Sequence, residues 1–109
     1  MGLRPGFAVV KKPAAIKVIG RRYRVEFVRT GGALQEDERG ECDTDGQLIS
    51  VLEGQPLEGE QDTVLHEVIH AIEHAMGLDL KEEEVEKLTT GLIAVIKDNP
   101  SFLRYLAAR

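Results

Sequence analysis

Residues 63–77 read TVLHEVIHAIEHAMG. Within them His66-Glu67-Val68-Ile69-His70 is an H-E-x-x-H pentapeptide, and His74 follows one helical turn later. Apolar residues stand at 64, 65, 68, 69, 71, 72, 75 and 76, the pattern of a helix that is apolar over most of its circumference. A polar strip is left at 63, 66, 67, 70, 73 and 74. Such a helix is expected to be largely buried, and its polar strip then needs partners, because an unpaired buried carboxylate is costly. With 3 histidines in the chain, shuffling would produce the pentapeptide roughly once in a hundred sequences, so chance is a poor explanation.

A metal ion would satisfy all three groups. Imidazoles at i and i+4 share a helix face and can both reach one zinc at about 2.0–2.1 Å. Glu67 falls beside that position rather than on it, where it can take a proton from a water in the metal's open coordination position. His74 is excluded as a further ligand, because it lies about 12 Å along the helix axis from His66. The longer H-E-x-x-H-x-x-G-x-x-H pattern also fails, since Glu73 and Met76 occupy its last two fixed positions.

The third ligand is sought in KEEEVEK, residues 81–87. Gly77 fits a helix C-cap, and a second helix is expected from Asp79, with Glu82 in a capping box, to about Asp98. If the two helices form an antiparallel hairpin about Gly77, His70 and Glu84 are each seven residues from the turn. Glu84 also joins the apolar row through 84, 88, 91 and 95, whereas Glu83 heads a solvated row with Lys87 and Thr90. Glu84 is therefore the expected ligand, with Glu83 and Glu86 as the alternatives.

Upstream, residues 14–19 (AAIKVI) and 22–28 (RYRVEFV) read as strands joined by a tight link at Gly20. Residues 30–41 read as an exposed acidic loop, Asp45-Gly46 as a turn, and 47–52 (QLISVL) as a third strand. Residues 53–61 read as a loop broken by Gly54, Pro56 and Gly59, with Asp62 capping the first helix. Asn99-Pro100 ends the second helix and opens a short final one over 101–108. The expected fold is α+β: a small N-terminal three-stranded sheet packed on a C-terminal helical hairpin that carries H-E-x-x-H, with a short final helix, all in one domain over 1–109.

The 109 residues are 42% hydrophobic and 30% charged, ordinary for a globular chain. The opening MGLRPGFAVV lacks the apolar core of a signal peptide, no run suits a membrane span, and Cys42 is the sole cysteine. These features point to a cytoplasmic protein without a membrane role, of a size that would suit a phage. The net charge of −5 conceals an uneven distribution: +7 over residues 1–29, −15 over 30–86 and +3 over 87–109. The basic start raises nucleic acid as a partner, but Lys17, Arg22 and Arg24 fit the outward positions of strands, and no nucleic-acid motif accompanies them.

His66-Glu67-x-x-His70, followed by Glu84-Val85 and the Leu88/Leu92 spacing, resembles zincin metallopeptidases of the gluzincin type. It is similar to minigluzincins and to ImmA/IrrE-like domains. The resemblance implies a zinc peptidase in which His66, His70 and Glu84 hold Zn²⁺ and Glu67 is the general base. It implies a sheet whose edge strand lies along the active-site cleft; a peptide or protein substrate is then expected to add as a strand to the edge formed by residues 47–52. Tyr23 and Tyr105 are candidates for stabilising an oxyanion, with plain packing as the other reading of each. Cys42 could add a thiolate ligand that keeps the site latent, against the simpler reading of a part-buried cysteine. A different class of function also fits: a catalytically silent, zinc-stabilised module that binds a protein partner.

Overall fold

The computed structural model describes residues 10–29 and 34–109. The opening MGLRPGFAV and residues 30–33 of the expected acidic loop lie outside that description. Four strands and three helices follow one another: β1 (Ala15–Val18), β2 (Arg21–Val28), β3 (Gly40–Asp43), β4 (Leu48–Leu52), α1 (Leu57–Met76), α2 (Glu82–Asp98) and α3 (Pro100–Ala107). The architecture is α+β, with a mixed sheet in the order β1-β2-β4-β3.

The first two strands form because Tyr23 and Val25 alternate with Arg22, Arg24 and Glu26, so one sheet face is apolar. Ile19 and Gly20 join them, both at positive φ (45° and 82°), the backbone that a two-residue turn with a right-handed strand twist needs. Ile19 thus belongs to the turn rather than to the strand expected over 14–19. β2 runs parallel to β4, with Val25 opposite Ile49 and Phe27 opposite Val51. Ile49, Ser50 and Val51 are all buried, because β4 lies between β2 and β3; the expectation that 47–52 forms the sheet edge is corrected, and β3 takes that place.

The expected three-stranded sheet is corrected to four strands. Gly40–Asp43 pairs antiparallel with β4 along the outer edge, Cys42 opposite Ile49. Its residues carry no apolar alternation, since an edge strand that buries only part of one face needs none. The Asp45-Gly46 turn is held by Asp43, whose Oδ1 accepts the N–H groups of both residues at 3.1 and 3.0 Å.

The first helix starts at Leu57, five residues before the expected cap at Asp62. Pro56 is the N-cap at ψ 150°, where its missing N–H removes no helical hydrogen bond, and the helix begins at Leu57. Gly59 is simply absorbed into the helix. Glu58 and Glu60 stand in its first turn, where the helix dipole favours acids. At the other end Gly77 is the left-handed C-cap, at φ 66°. The second helix begins at Glu82, later than Asp79, and α3 opens on Pro100.

α1 lies on the apolar sheet face. Val64, Val68, Ala71 and Ile72 pack on Val18, Tyr23, Val25, Ile49 and Val51. Each of these large side chains contributes on the order of 1.5–3 kcal/mol by leaving water. α2 packs against the far side of α1 through Val85 and Thr89, both fully buried. Lys17, Arg22 and Arg24 are exposed strand residues. Among the described residues, no helix is long and apolar enough to cross a membrane.

Candidate metal centre

α1 places His66 and His70 one turn apart on the side that faces β3 and the start of α2. Their Nε2 atoms stand 3.2 Å apart, with the rings at 68°. Two donors bound to one tetrahedral zinc at about 2.0–2.1 Å lie roughly 3.3 Å apart, so the pair already has the right bite. Glu82 completes the group. Its Oε1 is 2.6 Å from His66 Nε2 and its Oε2 is 3.2 Å from His70 Nε2. The three ligand atoms all lie within 4.8 Å of one another.

Glu84, the expected third ligand, is not brought to this group. Its Oε1 accepts the backbone N–H of Lys81 at 2.8 Å, the returning half of a capping box at the start of α2. The two glutamates have exchanged the parts expected of them, Glu82 facing the histidines and Glu84 closing the helix end. The cause is the register of α2. With the helix starting at Glu82, Glu84 is its third residue, from which a carboxylate reaches back to the open N–H. Glu83 is exposed, and Glu86 borders the cleft without joining the group.

His70 is oriented from its other nitrogen. Nδ1 lies 2.8 Å from Glu73 Oε1, and Glu73 Oε2 accepts the backbone N–H of Leu80 at 2.9 Å. A carboxylate at Nδ1 holds the proton there and leaves the Nε2 lone pair for a cation. Glu73 was the residue missed in the sequence, although its signal was present: it sits three residues after His70 on the polar strip, at helical contact spacing.

Glu67 lies at the floor of the site, 6% exposed. Burial is the largest influence on its carboxyl and pushes the pKa above the usual range; His66 and His70 draw it back, and Glu82 and Glu41 add to the rise. β3 forms the wall opposite. A Cβ on Gly40 would stand 2.6 Å from Thr63 Cγ2 and 3.0 Å from Glu67 Oε2, so only glycine permits this approach of strand to helix. The result is an open cleft of about 960 Å³ between β3, α1 and the start of α2. Asp37, Glu38, Glu41, Asp62 and Glu86 line it with Arg39.

His74 lines the same cleft but lies outside the donor group, as does Cys42 on β3. Burial, and then the charge of Glu67, raise the Cys42 thiol to about 11. Neither tyrosine lines the cleft. Tyr23 is 1% exposed in the core, and Tyr105 is 76% exposed on α3. Packing accounts for the first and the surface for the second.

No protein-family model, curated protein or solved structure matches this chain. The geometry therefore carries the functional reading alone.

Proposed function

We propose that the chain is a small zinc-dependent metallopeptidase in which His66, His70 and Glu82 hold the metal and Glu67 is the general base. The observation that carries this reading is the convergence of two Nε2 atoms and one carboxylate within 4.8 Å, with His70 oriented from behind by Glu73. Two imidazoles and one carboxylate suit zinc, and three protein ligands leave a coordination position open, the arrangement of a catalytic rather than a structural site. Zinc held there supplies Lewis acidity, which makes water a better acid and a carbonyl a better electrophile.

The chain's own residues do the rest. Glu67 accepts a proton from the attacking water and passes it to the leaving amine. Its raised pKa suits both halves of that task, because a carboxyl poised nearer neutrality gives the proton up again readily. Glu73 keeps His70 in one tautomer throughout. The cleft is open enough for an extended peptide, and its carboxylate rim favours cationic side chains in the substrate. A single cysteine, which forms no internal disulfide, fits our placing of this enzyme in the cytoplasm.

A second reading, a zinc-held module that cleaves nothing, is favoured by one observation: Glu67 is closely walled by Gly40 and Thr63. Elemental analysis of protein purified without chelator, joined to a peptide-library screen, separates the cases. The peptidase requires about one zinc per chain, cleavage that chelator abolishes, and a Glu67→Gln variant that keeps zinc and loses cleavage. Zinc without cleavage would select the module. A chain that takes up no zinc would sink both.

A further inference from the structure

The core that holds α1 to the sheet does not extend to α2. The buried cluster runs from Val18, Tyr23, Val25, Ile49 and Val51 to Ala71, and the partly buried side chains packed on it come from the strands and α1. α2 lies on the far side of α1 and packs against no strand. Of its 17 residues only Val85 and Thr89 are buried. Thr89 turns its hydroxyl back to the carbonyl of Val85 at 2.7 Å, a bond within α2 itself. In the second half of the helix Ile93 and Ile96 are half-buried beside an apolar groove of about 410 Å³, which Ile16 and Phe27 also line. Helices draw most of their stability from apolar packing, and α2 has little of it.

The polar link between the two helices is narrower still. Among the described residues, every side-chain hydrogen bond or ion pair between α1 and α2 is made by Glu82, to His66 Nε2 at 2.6 Å and to His70 Nε2 at 3.2 Å. The Glu82 side chain is 61% exposed. An ion pair open to water to that extent contributes little by itself. Glu73 on the other nitrogen of His70 and the buried Glu67 bring two more carboxylates to the same pair of imidazoles. A cation held by both Nε2 atoms and Glu82 alters this balance, because it joins the helices by coordinate bonds and offsets the gathered negative charge.

We propose that the metal is the clasp that docks α2 on α1, so that the metal-free chain keeps the sheet and α1 folded while α2 opens away from them. This rests on the metal-binding part of the function proposed above and not on cleavage. Glu86 and Thr90 of α2 border the cleft, so the docking of α2 also completes the cleft wall on that side. Metal supply thereby regulates the site: it governs whether a substrate cleft exists as well as the chemistry available in it.

Hydrogen exchange of the full-length chain, followed by mass spectrometry at a series of free zinc concentrations, tests this. Without metal, the amides of α2 should exchange at least about 100-fold faster than those of Ile49, Ser50 and Val51 in β4, which open only when the sheet does. Zinc bound through Glu82 is released when α2 opens. Each tenfold rise in free zinc above its dissociation constant should therefore slow α2 exchange about tenfold. Glu82→Ala leaves both histidines in place and should abolish that dependence while β4 stays protected. Elemental analysis of the same samples gives their zinc content. Metal-free α2 amides as slow as those of β4 overturn the proposal. So does bound zinc that leaves α2 exchange unaltered, or a zinc dependence that survives Glu82→Ala. A chain that takes up no zinc overturns the clasp and the metal site together. Cleavage does not enter the measurement, so an active peptidase and a silent module give the same exchange result.

Discussion

Glu82 Oε1 lies 2.6 Å from His66 Nε2, across the gap between the first turn of α2 and the middle of α1. Two residues further on, Glu84 points its carboxylate back at the N–H of Lys81. Neighbouring glutamates in one acidic turn thus have separable roles, one toward the proposed metal and one toward the helix end.

Substituting them should separate the roles. Glu82→Gln should weaken zinc by more than about 100-fold, beyond the 10–100-fold seen when only an outer partner is lost. Glu84→Ala should keep zinc and lower stability by about 1 kcal/mol, the usual loss of a helix cap. Chelator competition and thermal unfolding measure the two effects. Zinc loss in the Glu84 variant with retention in the Glu82 variant would return the ligand to Glu84.

Glu73 ties His70 Nδ1 to the backbone of Leu80, so the orientation of the histidine depends on the turn after α1. A glutamine at 73 keeps the shape and removes the charge. Glu73→Gln should weaken zinc by about 10–100-fold without unfolding the chain. Unaltered zinc affinity in that variant would mean that His70 is held by packing alone.

The strands and helices built on strong periodicity were legible in the sequence. Tyr23, Val25 and Phe27 announced β2, and the apolar run from Val64 to Met76 announced most of α1. β3 was not legible, because Gly40, Glu41, Cys42 and Asp43 owe their strand to β4 and to the helix beside them. The start of α1 was hidden by Pro56 and Gly59, which read as breakers although one precedes the helix and the other is tolerated inside it. At the site, the spacing of His66, Glu67 and His70 was visible, since one helix fixes it. The acidic partner from α2 was not, because it depends on where a helix starts, and a shift of two residues exchanged Glu84 for Glu82.

Gly40 is the position where β3 comes nearest to α1. Gly40→Ala should cost about 1–3 kcal/mol, the range for forcing extra atoms into a packed contact. Adding Thr63→Ser removes the Cγ2 atom that the new methyl would strike at 2.6 Å, and should recover part of the loss. Thermal unfolding of the single and double variants decides it; an alanine tolerated at no cost would show that the strand can move away freely.

Tyr23 carries a buried hydroxyl with no hydrogen-bond partner among the described residues. Burial is also the first cause of its raised pKa. Removing an unpartnered buried hydroxyl sacrifices no bond, so Tyr23→Phe should leave stability unchanged or raise it by up to about 1 kcal/mol. If denaturant unfolding shows a loss of that size instead, the hydroxyl has a partner in solution, such as a bound water.

Cys42 gives a pH dependence whose sign is fixed by its surroundings. Burial first, then the charges of Glu67, Asp43 and Glu41, raise its pKa from 9.0 to about 11. The thiol form is thus favoured in the folded chain. Its contribution to stability is complete below pH 9 and is lost as the pH rises through 11. At pH 8 only about one molecule in a thousand carries the thiolate, so alkylation should run tens of times slower than for a free cysteine, even allowing for the greater nucleophilicity of a basic thiolate. Glu67→Gln removes the largest charge acting on the thiol and should speed alkylation in the folded, metal-free protein. A wild-type thiol that alkylates at pH 8 as fast as a free cysteine would show that β3 opens from α1 more often than the Gly40 contact implies, and that the wall of the cleft is a moving part.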